Sequence, residues 1–190
     1  MRHRKKEKYG FTLIELLVVI GILGILAAAL VATIDPFEQL KKGTDSKIKN
    51  IVVEFENANI RYFTTHSTFP WTDTSSPCYD AGIAGSGFSA SQLYTDLQGC
   101  LGSAGTTNTL IGEGELKESF VSNTNDLDKV LVTWDPSNAN SLIVCFAPTS
   151  KSQKASPETI YNNDGSDNSK PTGDCPDATV ADNTCFWCTK

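Results

Sequence analysis

The chain has 190 residues, 39% of them hydrophobic, with 16 basic and 22 acidic side chains and a net charge of −6. That length leaves room for one domain and an additional element, and is short for two. The acidic balance excludes general nucleic-acid binding, which needs a basic footprint.

The charge is unevenly placed. Arg2, Arg4, Lys5, Lys6 and Lys8 stand against Glu7 within residues 1–10, so the remainder is more acidic than the whole, at −10. From Phe11 to Ile34 the chain is almost wholly apolar, with Glu15 its one ionisable residue. As a helix, these about 24 residues reach about 36 Å, enough to cross a bilayer core. A secretory signal would have a shorter apolar core followed by a small-residue cleavage site. Here the small residues Ala27, Ala28, Ala29 and Ala32 sit inside the run, and the natural boundary lies at its front, after Gly10. Positive charge before the helix and none just after it places the N-terminus in the cytoplasm and the rest outside.

Glu15 has two readings. Thr12-x-x-Glu15 has capping-box spacing, with Phe11 and Leu16 at the positions of a hydrophobic staple. A carboxylate in the first turn also suits the helix dipole, by about 0.3–1 kcal/mol. Against this stands the solvent: an ionised group at the bilayer centre costs roughly 2.5–3.5 kcal/mol and is usually paired. Gly21 and Gly24, inside the run, suit close helix packing or local unwinding of the helix.

Gly10-Phe11-Thr12-Leu13-Ile14-Glu15, after a basic leader and before an apolar run, resembles the class III signal of type IV pilins and type II secretion pseudopilins. The likeness covers about residues 4–35. It implies cleavage by a prepilin peptidase after Gly10 and N-methylation of Phe11. The apolar helix would stay on the mature chain, held in the membrane and later packed in the core of a helical filament of copies of itself. Glu15, with Thr12, would then meet the Phe11 amine of a neighbour. The resemblance also implies an assembly platform and an ATPase as partners, and a filament on the cell surface or in the periplasm. Pro36 lies later than the kink proline usual in major pilins, and six cysteines exceed the common single pair.

Asp35-Pro36 interrupts the helix, because proline removes a backbone donor. Beyond it Phe37, Leu40, Thr44, Ile48, Ile51, Phe55, Ala58 and Tyr62 recur at spacings of three and four, which predicts an amphipathic helix. Its other face carries Lys41, Lys42, Asp45, Lys47, Lys49, Glu54, Glu56 and Arg61. The apolar stripe is expected to pack on the chain's own domain, and the helix to end near Thr64–Ser67. The two halves together make one long helix kinked at Pro36. His66 sits at its end with no acid or nucleophile at a catalytic spacing, and no phosphate-binding loop follows; the chain reads as a non-enzyme.

Residues 71–128 are rich in Gly, Ser, Thr and Asn, with short helical patterns at 90–98 and 113–121. Val130–Trp134 and Ser141–Phe146, joined by a turn-rich stretch at 135–140, predict an antiparallel hairpin. Residues 149–184 read as polar loop. Within them Asp164, Asp167 and Asn168, with Asp174, Asp177 and Asp182 nearby, offer oxygen ligands of the kind calcium takes, outside EF-hand spacing. A calcium in a C-terminal loop is also what some pseudopilins hold; otherwise no cofactor is expected.

Cys78, Cys100, Cys145, Cys175, Cys185 and Cys188 all follow the apolar segment, which reads as disulfides made in an oxidising compartment, with the pairing open. Cys78 and Cys100 can close a lobe, and Cys185-Phe-Trp-Cys188 can fasten the C-terminus. The CxxC spacing also admits a rival: a single-pass anchored domain with an extracytoplasmic binding or thiol-redox function. The expected organisation is a leader (1–10), a transmembrane and filament-core helix (11–35), an amphipathic helix (36–68) and an extracytoplasmic domain (69–190). The fold class is α+β and pilin-like, a long kinked N-terminal helix on a small antiparallel sheet.

Overall fold

A computed structural model describes residues 10–33, 35–79, 88–122, 124–138, 141–171, 173–179 and 185–189. The chain forms two compact units, Met1–Phe37 and Glu38–Lys190.

The first unit is built on helix α1, Leu13–Thr33. Helix α2, Pro36–His66, begins just past the interruption. Pro36 is its first residue, where the missing amide proton would be unsatisfied in any case. Asp35 caps it, its Oδ1 accepting the Phe37 amide at 3.1 Å. The helix stops where Ser67 turns to φ 58° and its amide bonds the Phe63 carbonyl at 2.8 Å, a left-handed C-terminal cap.

The second unit pairs α2 with a four-stranded antiparallel sheet, in the order β1 (Phe88–Gln92), β2 (Val130–Trp134), β3 (Ile143–Phe146), β4 (Trp187–Cys188). In β2, Val130, Val132 and Trp134 are buried and the residues between them half-buried, the alternation of a strand with one face on a core. One continuous cluster joins that face to Ile48, Val52, Phe55, Ala58 and Tyr62 of α2 and to Leu93, Leu97, Leu101, Leu110 and Leu127 from the connecting lobe. Phe69, Trp71 and Trp134 stack and cross at 5.0–6.2 Å beside it. The architecture is α+β and pilin-like.

Several local expectations change. The first three residues of the helix predicted at 90–98 belong instead to the edge strand β1, residues 88–92; helices α3 (Leu93–Asp96) and α4 (Gln98–Leu101) follow. The register slips between Phe88 and Ser91, with Ala90 at φ 54° and its amide on Thr133 Oγ1 at 3.0 Å. Cross-strand pairing overrides the local helical pattern there. The pattern at 113–121 yields turns and a 3-10 helix at Glu118–Ser122, with α5 (Thr124–Leu127) after it. Strand β3 starts two residues later than predicted, because the Ser141 hydroxyl accepts the Asp135 amide at 2.9 Å and closes the turn.

The polar stretch after 149 is more ordered than a loop. It holds helix α6 (Lys151–Lys154) and isolated bridges from Tyr161 to Asp167 and Phe186. Asp45, expected on the polar face of α2, is fully buried and binds this stretch. Phe37 and Leu40, expected to pack on the domain, are 74% and 68% exposed. Further along α2, Lys49 donates to Glu158 at 3.1 Å and lies 4.2 Å from the centre of the Trp187 ring, and the Trp187 indole donates to the same carboxylate. These contacts fasten the C-terminal strand to α2.

Lys47 Nζ meets Asp126 Oδ2 at 2.7 Å, and Lys129 meets Oδ1 at 3.3 Å. The Lys47 hydrogen bond holds the Asp126 carboxyl below its ordinary range. A depressed carboxyl contributes stability above its unfolded pKa and loses it as pH falls through the folded value. With Lys47 half-exposed, the pair is worth no more than about 1 kcal/mol. Asp126→Asn is therefore expected to lower the urea midpoint at neutral pH, with the difference from wild type fading as pH falls through the carboxyl's lowered folded value.

Candidate assembly site and membrane anchor

The N-terminal turn of α1 is tied by reciprocal bonds. The Thr12 amide and hydroxyl donate to Glu15 Oε2 at 2.8 and 2.7 Å, and the Glu15 amide donates to Thr12 Oγ1 at 3.3 Å. This is the capping box that the Thr12-to-Glu15 spacing predicts. Its result is positional: the carboxylate is held over the helix start, next to Phe11. Phe11, Ile14, Glu15, Val18 and Val19 line a shallow groove of about 340 Å³ whose walls are apolar apart from that one acid.

Along the rest of α1, Leu13–Val31 is long and apolar enough to cross a membrane, and none of it is buried within the chain. Phe11 is 86% exposed and Leu13 81%. At about 25 cal/mol per Å² of apolar surface, such a helix cannot stay bare in water. It needs lipid or other apolar helices as its surroundings. Gly21 and Gly24 have open space where a Cβ would stand, so neither serves a contact among the described residues. Gly10 is likewise open and exposed.

The cysteines form three disulfides: Cys78–Cys100, Cys145–Cys188 and Cys175–Cys185. Cys78–Cys100 closes the connecting lobe. Cys145 and Cys188 are register partners on β3 and β4, so their bond fastens the C-terminal strand to the sheet. Cys185 and Cys188 do not pair with each other. The CxxC is thus divided between two buried disulfides, and no free cysteine stands among the described residues. That arrangement lacks the exposed, low-pKa thiol a redox centre requires.

The calcium candidates are engaged in turns. Asp164 Oδ1 accepts the Ser166 amide and hydroxyl at 2.8 and 2.6 Å, bonds that hold its carboxyl below the usual range. Asp167 Oδ1 accepts the Ser169 amide at 2.8 Å. Asn168 directs its side-chain nitrogen to Cys175 Sγ at 3.7 Å. Asp177, bound by the Thr179 amide and hydroxyl, is lowered to about 2. Asp182 lies outside the described residues. Among the described residues no three His, Cys, Asp or Glu side chains converge as a metal site would need. His66 stacks on Tyr62 at 4.0 Å in the last turn of α2, with Glu113 4.0 Å from its Nε2.

The residue that sequence reasoning missed is Asp45. Its carboxylate takes the amides and hydroxyls of Thr149 and Ser150 at 2.6–2.9 Å. Seven positions earlier, Glu38 Oε1 accepts the Lys151 amide at 2.6 Å. The seven-residue spacing of two acids on one α2 face is the signal that could have found it.

Residues 5–31 match the prokaryotic N-terminal methylation motif, the class III prepilin signal of type IV pilins and pseudopilins. No curated protein and no solved structure matches the chain.

Proposed function

We propose that this chain, which bears the N-terminal signal of type IV pilins and pseudopilins, is the precursor of a structural filament subunit and not an enzyme. The observation that carries the reading is the motif on a wholly unburied apolar helix, with Glu15 held at its first turn. A prepilin peptidase would cut after Gly10 and leave a methylated Phe11 amine. The mature helix would remain in the cytoplasmic membrane, with the disulfide-bonded domain outside, until platform and ATPase machinery moves it into a filament. There α1 exchanges lipid for the α1 helices of other copies. The Glu15 carboxylate of one copy would face the Phe11 amine of another. In so dry a setting an unmatched charge costs several kcal/mol, so the pair selects register more than it adds stability. Gly21 and Gly24 would let neighbouring helices approach or let α1 yield locally on extraction.

Mass spectrometry of the chain isolated from membranes is the direct test. The expected N-terminal peptide begins at Phe11 and carries one methyl group. A chain retaining Met1 would leave the anchored-domain alternative standing. Shear-released surface filaments containing the same N-terminus would extend the result from processing to assembly.

A further inference from the structure

The three disulfides differ in how they follow the chain. Cys78–Cys100 joins cysteines that are consecutive in the sequence. The other two are nested: Cys175–Cys185, 10 positions apart, lies inside Cys145–Cys188, 43 positions apart. The two ends of the CxxC thus belong to different bonds. Between them the backbone is extended, with Phe186 bridged to Tyr161 and Trp187–Cys188 forming β4. Three extended steps cover roughly 10 Å, while a disulfide needs Cα atoms within about 7 Å. A Cys185–Cys188 bond and strand β4 therefore exclude each other. Such a bond would also unseat Trp187 from Glu158 and Lys49.

We propose that the domain reaches its nested pairing only through a further partner, a thiol–disulfide isomerase outside the cytoplasm, acting after a dithiol oxidase and before β4 docks. The inference rests on the extracytoplasmic placement proposed above and not on polymerisation. With α1 as the anchor, the body is delivered from Cys78 towards Cys188. An oxidase that joins each cysteine to the next one delivered makes Cys78–Cys100, which is native, then Cys145–Cys175 and Cys185–Cys188, which are not. Loop closure favours the same error, because a short loop costs less entropy than a closure across 43 positions. Once those three bonds exist all six cysteines are used, and the chain holds no thiolate with which to begin exchange. Repair has to start from an outside thiolate. That thiolate attacks Cys188 Sγ, breaks Cys185–Cys188 and leaves the enzyme bonded to Cys188. The released Cys185 thiolate attacks Cys175, forming one native bond and freeing Cys145. The Cys145 thiolate attacks Cys188, forms the second native bond and expels the enzyme thiolate. Three bonds break and three form, with no net oxidation or reduction. In the finished domain Cys145, Cys175, Cys185 and Cys188 are all buried, which closes the exchange.

The test expresses the full chain in bacteria that have a dithiol oxidase, with and without their thiol–disulfide isomerase. Free thiols are alkylated in the cells. The unreduced chain is then cut after Phe186 and before Asp177, which puts Cys175, Cys185 and Cys188 on separate peptides for mass spectrometry. Without the isomerase, the share of chains carrying both nested bonds is expected to fall about fivefold or more, with Cys185–Cys188 in their place and Cys78–Cys100 unchanged. In Cys175→Ala/Cys185→Ala the remaining cysteines pair in consecutive order, so Cys145–Cys188 is expected equally in both strains. Reduced isomerase added to the mispaired wild-type chain in detergent is expected to restore the nested bonds with total thiol unchanged, and added dithiol oxidase is not. An equal share of nested bonds in the two strains overturns the proposal. So does a mispaired chain on which the reduced isomerase has no effect, or a double variant as dependent on the isomerase as wild type. Six free thiols in both strains would place the domain in a reducing compartment and overturn the extracytoplasmic reading itself.

Discussion

Glu15→Gln is expected to abolish filament formation while leaving processing and membrane storage intact. The two roles of Glu15 make this substitution more informative than alanine. A glutamine at the same position can still close the capping box, since its amide oxygen can accept from the Thr12 amide. It cannot neutralise a methylated amine. In the filament core the amine of the neighbouring Phe11 would be left in an apolar setting without a counter-charge, at about 3–5 kcal/mol. Each 1.4 kcal/mol is about a factor of ten in association, so subunit affinity should fall by about a hundredfold or more. Thr12→Val provides the complement. It removes the hydroxyl that receives and gives the bonds at 3.3 and 2.7 Å but keeps the carboxylate. Its expected effect is that of a lost cap, about 1 kcal/mol, and filaments should still form in reduced amount. Filament yield by electron microscopy, normalised to the membrane-held pool, separates the two. Wild-type yield from Glu15→Gln would leave only the local helix role.

How much of the fold is legible in the amino-acid sequence follows the range of the forces involved. The Thr12–Glu15 box, the apolar span and the end of α2 near His66 depend on contacts within a few residues, and spacing reports them directly. The β2–β3 hairpin is legible because its turn joins neighbouring runs. Strand β1 is hidden because its partner lies about forty residues on, and Ala90 adopts a left-handed backbone that only the pairing with β2 justifies. Strand β4, two residues long, exists through Cys145 and the Trp187 contacts, not through propensity. The disulfide pairing stays open in the sequence for the same reason. Periodicity assigns Phe37 and Leu40 to a buried stripe because it cannot see where the domain stops covering its helix.

Asp45 is the extreme case of a long-range role concealed in a local pattern, and it sets the second large expectation. Asp45→Ala should lower stability by about 3–4 kcal/mol, a large part of the 5–15 kcal/mol typical of a domain. Its carboxylate is fully buried, and so is Ser150. Removing it leaves two backbone amides and two hydroxyls of the 149–150 segment without their acceptor; the exposed Thr149 can turn to water, but the buried Ser150 cannot. Asp45→Asn should fall between wild type and alanine, because one amide oxygen can accept only part of what two carboxylate oxygens accept now. Glu38→Ala, at the more exposed Lys151 amide, should cost about 1 kcal/mol. Urea unfolding of the oxidised protein gives the ranking. The disulfides stay closed throughout, so any loss belongs to the clasp between α2 and the chain beyond β3. If Asp45→Ala unfolds at the wild-type midpoint, that clasp carries no stability, and the 149–151 segment must be held on α2 by something else.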